Sequence, residues 1–225
     1  MTQEQQKFYD IKTFRDYEVV GEDIDFIVLV NHETKEIILQ YEESDSDKDW
    51  EHNLRFLPWL VKLDNKKVWT TRGYACAYSS AKSTPVNKFC EAALKYPTYK
   101  RIIRGWSFGS AMSVLSMIHV YSRLGQLDEV TTYGSVACLL NPFAKKKYSK
   151  CAKVIRNYCT PNDFVTYQVP FYHHLNKCKV GERFNLFKIF KTEFYHTHTP
   201  NTRPVLKLVF AVLSQFYSFK AKYSV

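Results

Sequence analysis

The chain reads as an α/β protein, with a mostly parallel central sheet and helices on both faces, built as one domain over residues 1–225. Three observations predict this. Runs rich in β-branched and aromatic residues alternate with helix-patterned segments. The short run Arg101-Ile102-Ile103-Arg104 passes through Gly105-Trp106-Ser107-Phe108-Gly109 into a long apolar stretch, residues 110–124, that carries few charges; this is a strand, a tight turn and a helix. Ser107, Ser135 and Asp163 each fall just past a run read as a strand, where open α/β sheets bind their ligands.

Taken in order, residues 24–31 and 35–41 are β-rich and are joined by the turn Asn31-His32-Glu33-Thr34. Residues 42–48 are acidic and polar and read as a loop. A further β-rich piece spans 57–63, and residues 67–71 lead into Gly73-Tyr74. Residues 86–96 carry an amphipathic helical pattern. After the strand and helix around Ser107, residues 126–128 read as a loop and 130–135 as a strand that ends in small residues. Residues 154–158 form another strand, closed by the polar turn Thr160-Pro161-Asn162-Asp163.

Composition narrows the classes. Of 225 residues 45% are hydrophobic and 16% aromatic, which excludes a disordered chain. Residues 1–10 are polar with no secretory apolar region behind them, and the apolar stretch 205–216 is too short to span a bilayer and contains Lys207. A cytoplasmic location is therefore the expectation. The six cysteines contain no C-x-x-C pair and read as reduced, mostly buried thiols, with Cys76, Cys138 and Cys159 on or near strands. The net charge of +10 is compatible with nucleic acid, an anionic membrane surface or simple solubility. Apart from Lys145-Lys146-Lys147 the basic residues are scattered, and no zinc-finger or RNP-like motif is present. The balance disfavours nucleic acid and fits acidic lipid headgroups better.

The pattern Gly-x-Ser-x-Gly is weak alone, because it occurs in ordinary packed turns. Its flanks give it meaning. A serine at the apex of a strand-to-helix turn is lifted above the sheet edge, where a base and a substrate carbonyl both reach it, and the following helix points its amides at the same spot.

Several segments, in the right order, resemble the class 3 (fungal-type) lipase family of α/β-hydrolases, over about residues 25–198. Gly105-Trp106-Ser107-Phe108-Gly109-Ser110-Ala111 is similar to the family's GHSLGGA elbow. Tyr41-Glu42-Glu43-Ser44, followed by Asp49-Trp50 and Asn53-Leu54, resembles its FRGT/FRGS strand end and DW…NL continuation. Gly73-Tyr74 matches its GF pair, Tyr133-Gly134-Ser135 its FGSP strand, and Asn162-Asp163-Phe164-Val165 its DPV turn. Three departures stand out: Trp106 replaces a histidine, Ser110 replaces the third glycine, and Glu43 occupies a glycine position of the oxyanion loop.

The resemblance implies a serine ester hydrolase that needs no cofactor and no metal. Ser107 is the implied nucleophile, Asp163 the acid and His198 the base, with His196 as the alternative base. His173 and His174 fit the family's structural histidine. The implied oxyanion hole combines the Phe108 amide with Ser44. The implied substrate is a lipid or small ester, with peripheral contact to an anionic membrane. The aromatic residues after Phe164, with 205–216, line an acyl groove or simply fill core. A rival reading is a hydrolase-fold binding protein of weak or lost activity at anionic membrane surfaces, motivated by Glu43 and Trp106.

Overall fold

The computed structural model describes residues 17–23, 26–41, 55–81, 84–141, 143–159, 172 and 174–179. The elements are β1 (Tyr17–Asp23), β2 (Phe26–Asn31), β3 (Glu36–Tyr41), β4 (Pro58–Leu63), β5 (Lys66–Thr71), α1 (Arg72–Ser80), α2 (Thr84–Lys95), β6 (Lys100–Trp106), α3 (Phe108–Leu124), β7 (Leu127–Tyr133), α4 (Ala144–Tyr148), β8 (Ala152–Cys159) and β9 (Lys177–Lys179). One sheet of seven strands runs in the order β1-β2-β3-β6-β7-β8-β9, and β4 and β5 form a separate hairpin. The β1–β2 and β2–β3 pairings are antiparallel. The pairings from β3 through β9 are all parallel. The sheet is thus mostly parallel, as expected, with an antiparallel meander at one edge.

Local chemistry explains the boundaries. Strands β2 and β3 are near-continuous apolar runs, as a sheet buried on both faces requires, and Val28, Val30, Ile37, Ile38 and Leu39 are fully buried. Between them the Asn31 Oδ1 accepts from the amides of Glu33 (2.9 Å) and Thr34 (2.8 Å), an Asx turn that closes the hairpin. Helix α3 is buried continuously from Phe108 to Val120, which is why its sequence shows so little polar face. It stops at Gly125, whose φ of 77° suits a residue without Cβ.

The helices α2 and α3 pack on one face of the sheet, in the cluster that holds Val28, Leu39, Ile103, Phe89 and Leu115. The opposite face carries Ile27, Leu29, Ile38 and Ile102. Among the described residues no helix belongs to that second cluster.

Several details depart from the sequence reading. Strand β1 and helix α1 were not expected. Helix α1 starts at Thr71, whose hydroxyl accepts from the Tyr74 amide at 3.2 Å. The stretch 126–128, read as a loop, is already strand from Leu127, because Leu127 is fully buried and the Asp128 carboxylate takes the Arg101 amide (2.9 Å) and the Lys153 ammonium (2.6 Å). Tertiary partners override the poor strand propensity of aspartate. Cys76 lies on α1 rather than on or near a strand. All six cysteines are unbridged. Burial pushes the Cys138 thiol up to about 12 and the Cys151 thiol up to about 11, so both stay protonated and inert.

Candidate active site

Strand β6 delivers the chain to the carboxyl edge of the sheet, and α3 leaves it at once. Ser107 is the hinge between them, with φ 50° and ψ −116°. A side chain that is not glycine rarely adopts such a backbone, and it persists only where the surroundings over-determine it. Here the Ser107 amide donates to the Tyr133 carbonyl of β7 at 2.9 Å, and its carbonyl accepts the Ser110 amide at 2.9 Å. The Ser107 side chain makes no capping bond to α3.

Gly105 is enforced by close approach. A Cβ built there would lie 2.2 Å from the Gly109 carbonyl oxygen and 2.3 Å from the Ser113 hydroxyl. The first contact is to backbone, so helix and strand cannot separate by a rotamer change. The first of the two glycines is therefore required for the reason the motif suggests, and the second supplies the carbonyl that it meets.

Ser110, read from sequence as a departure, has a visible job. Its hydroxyl donates to the Ser107 carbonyl at 2.5 Å and accepts the Val136 amide at 3.0 Å. It fastens the turn after β6 to the segment after β7. Trp106 points to the face away from α3 and stacks on Tyr133 (centroids 5.7 Å), which stacks on Tyr158 (5.3 Å). These three rings tie the carboxyl ends of β6, β7 and β8 together. The large residue where relatives carry histidine is thus a packing element.

Phe108 opens α3, so its amide is among those left without an intrahelical partner and aimed past the sheet edge. The Phe108 ring is buried and meets Tyr74 of α1 edge-on at 5.8 Å. Ser135, also at this edge, has its Oγ 3.4 Å from Nδ1 of the half-buried His174. The site residues Ser44, Asp163, His196 and His198, together with Glu43 and His173, lie outside the described residues.

A second polar constellation occupies the other end of α3. His119 is buried, with Nδ1 2.9 Å from the Tyr78 hydroxyl and Nε2 3.0 Å from Asp64 Oδ2. The chain continues from Tyr78 to Ser116 (3.5 Å) and from Ser116 to the Tyr41 hydroxyl (2.6 Å). Arg123 clamps the same carboxylate with Nε at 2.6 Å and a second nitrogen at 3.2 Å. That guanidinium, chiefly, holds the Asp64 carboxyl down at about 2. Burial, with Arg123 adding to it, lowers the pKa of His119, which stays neutral. No cluster of three or more His, Cys, Asp or Glu side chains able to hold a metal occurs among the described residues.

Comparison with known proteins places this arrangement. The family model for class 3 lipases matches residues 39–173. Among solved structures, a fungal lipase–inhibitor complex aligns with a TM-score of 0.61 at 20% identity, covering 69% of this chain and 62% of the other. The native lipase–propeptide complex of Rhizomucor miehei gives 0.61 at 21%, covering 73% and 57%. A triacylglycerol lipase described as having a serine protease triad at its catalytic centre gives 0.58 at 21%, covering 69% and 62%. The chain thus spans under two thirds of the length of each of these structures. A search of curated proteins returned no match.

Proposed function

The chain belongs to the class 3 lipase family, and from that premise we propose that it is a serine hydrolase that cleaves carboxylic esters of lipid or acyl substrates. The observation that carries the reading is the backbone of Ser107, a non-glycine residue held at φ 50° between strand and buried helix. Such strain concentrates where a side chain must be presented rather than packed.

In this reading the Ser107 Oγ attacks the ester carbonyl carbon while His198, or His196 in its place, takes the hydroxyl proton. Asp163 orients that ring and stabilises its charged form. The negative charge that gathers on the carbonyl oxygen is met by the Phe108 amide and by Ser44. Collapse of the tetrahedral species breaks the bond to the alcohol oxygen, which leaves with the proton from the imidazolium. Water then attacks the acyl-serine with the same ring as base, releasing the carboxylic acid and restoring Ser107. The triad described for one of the aligned triacylglycerol lipases supports these roles by analogy. A lipid ester as substrate follows from the family, and the chain's +10 charge favours esters displayed at anionic surfaces.

The test is turnover of p-nitrophenyl esters of graded chain length. Ser107→Ala is expected to lower kcat by at least about a thousandfold, the scale seen when a triad nucleophile is removed, and to abolish covalent labelling by a fluorophosphonate. Undiminished hydrolysis by Ser107→Ala rejects the proposal. The same assay on His198→Ala and His196→Ala identifies the base.

A further inference from the structure

The β4–β5 hairpin has an unusual outer face. Leu60 stands directly across from Trp69, and Lys62 directly across from Lys67. Trp69 is 50% exposed and Trp59, at the end of the hairpin, 49%. Arg72 lies over the Trp59 ring at 5.3 Å. Like charges placed opposite each other weaken a strand pair, and exposed tryptophan adds nothing to a core. Among the described residues neither Lys62 nor Lys67 has a carboxylate partner. The hairpin gives up stability on this face without an internal return.

A second segment runs beside it. The Leu140 amide donates to the Trp69 carbonyl at 3.1 Å. The segment that Leu140 opens therefore starts beside β5. It carries Phe143, 71% exposed, and the exposed run Lys145-Lys146-Lys147. Residues 55–72 hold five basic side chains and one acid, Asp64, which Arg123 neutralises. Residues 140–151 hold four basic side chains and no acid. Two adjoining segments thus combine exposed aromatic rings with unpaired lysines.

We propose that the β4–β5 hairpin and the 140–151 segment form one docking face for an anionic lipid surface, with Trp69 and Phe143 entering the interface and Lys62, Lys67 and Lys145–Lys147 meeting the headgroups. Indole and phenyl rings favour the headgroup boundary, and clustered lysines are attracted to an anionic leaflet. The face adjoins the candidate active site. Strand β5 runs directly into α1, whose Tyr74 packs on Phe108, and residue 140 follows the segment that Ser110 fastens to the turn at Ser107. The inference deepens the lipid-ester reading and rests on it for purpose, while its geometry stands on the surface alone.

The experiment is co-sedimentation with vesicles of pure phosphatidylcholine and of phosphatidylcholine containing phosphatidylglycerol. Wild type is expected to partition at least about tenfold more onto the anionic vesicles, with the difference collapsing in high salt. Lys145→Glu/Lys146→Glu/Lys147→Glu and Lys62→Glu/Lys67→Glu are each expected to reduce anionic partitioning by at least about tenfold. Trp69→Ala/Phe143→Ala should reduce it and remove the salt-resistant part, with circular dichroism confirming that each variant is folded. Equal partitioning onto both vesicles, or charge-reversal variants that bind as wild type, overturns the proposal. So does a wild-type dimer that Trp69→Ala/Phe143→Ala converts to monomer, since a second copy would then be the occupant. Ser107→Ala is expected to bind the vesicles as wild type, so failure of docking reads out in sedimentation and failure of the enzyme reading in turnover.

Discussion

Both ends of α3 bring a hydroxyl close to an imidazole, Ser135 to His174 at one and Tyr78 to His119 at the other, and they differ in their setting. At the N-terminal end Ser107 sits at φ 50° on the carboxyl edge of a parallel sheet. Some 12 residues on, about 18 Å along the axis, His119 joins Asp64 and the Tyr78 hydroxyl in a line that has the composition of a catalytic triad. Asp64 also has φ 50°. Yet the hydroxyls there are bonded to one another between Tyr78, Ser116 and Tyr41, deep in the core, with no helix N-terminus to receive charge. The contrast teaches that acid, imidazole and hydroxyl in a row do not make a site. What distinguishes the first end is a helix N-terminus directly after the positive-φ residue, at the carboxyl edge of the parallel sheet.

Breaking the first end should have the largest effect. Gly105→Ala drives a Cβ into the Gly109 carbonyl, and because backbone cannot step aside the loss is expected to reach about 3 kcal/mol or more. Calorimetry should show a large drop in Tm, and ester turnover should vanish with it. A variant that folds and hydrolyses normally would mean that the strand and helix are not in contact at this point.

His119→Gln sharpens the comparison from the other side. Loss of its bonds to the buried Tyr78 and to Asp64 should lower stability by about 1–3 kcal/mol, measured by urea unfolding, while turnover of a soluble ester stays within about threefold of wild type. Acid sensitivity gives a second readout. Burial depresses the folded-state pKa of His119 from 6.5, so the unfolded chain binds the proton more readily. The stability that neutral His119 supports is present above 6.5 and is lost as pH falls below it toward the folded value. That part of the pH slope should be absent in the variant. A separate loss, from Asp64, should remain between 3.8 and about 2.

The smallest effect is expected at the fastening between turn and neighbouring loop. Ser110→Ala removes two hydrogen bonds, to the Ser107 carbonyl and from the Val136 amide. Stability should fall by about 1 kcal/mol, and kcat on p-nitrophenyl butyrate by roughly tenfold, the rate equivalent of that scale of energy, with KM little changed. A fall in KM-linked binding alone would move Ser110 out of the positioning of Ser107.

The elbow was legible in the sequence because it is written locally. Strand, turn and helix are consecutive, and Gly105, Ser107 and the apolar stretch after them state the geometry within about twenty residues. The meander was half legible: the apolar runs of β2 and β3 announce themselves, whereas β1, with Gly21 and three acids among seven residues, carries no alternation. Helix α1 was hidden because Arg72-Gly73-Tyr74 has poor helical propensity, and its start depends on the Thr71 cap. Asp64 and His119 lie 55 positions apart, so nothing short of the fold reveals that they meet. Ser110 showed only as a mismatch to relatives; one of its two bonds reaches across 26 residues to Val136. The class 3 lipase assignment rested on the order of short segments over about residues 25–198, and the family match over residues 39–173 lies within that stretch.

The distorted backbone at Ser107 has a consequence for how this chain can change. A conformation of this kind costs about 1–3 kcal/mol that a glycine would not incur. Selection for durability alone would therefore erode the serine, and under the proposed mechanism the residue that least suits its own dihedral angles is the one the chemistry retains. Robustness in this fold has to be gathered elsewhere, from the buried flank of α3 or from the meander, so heat tolerance and chemistry draw on different parts of the same sequence.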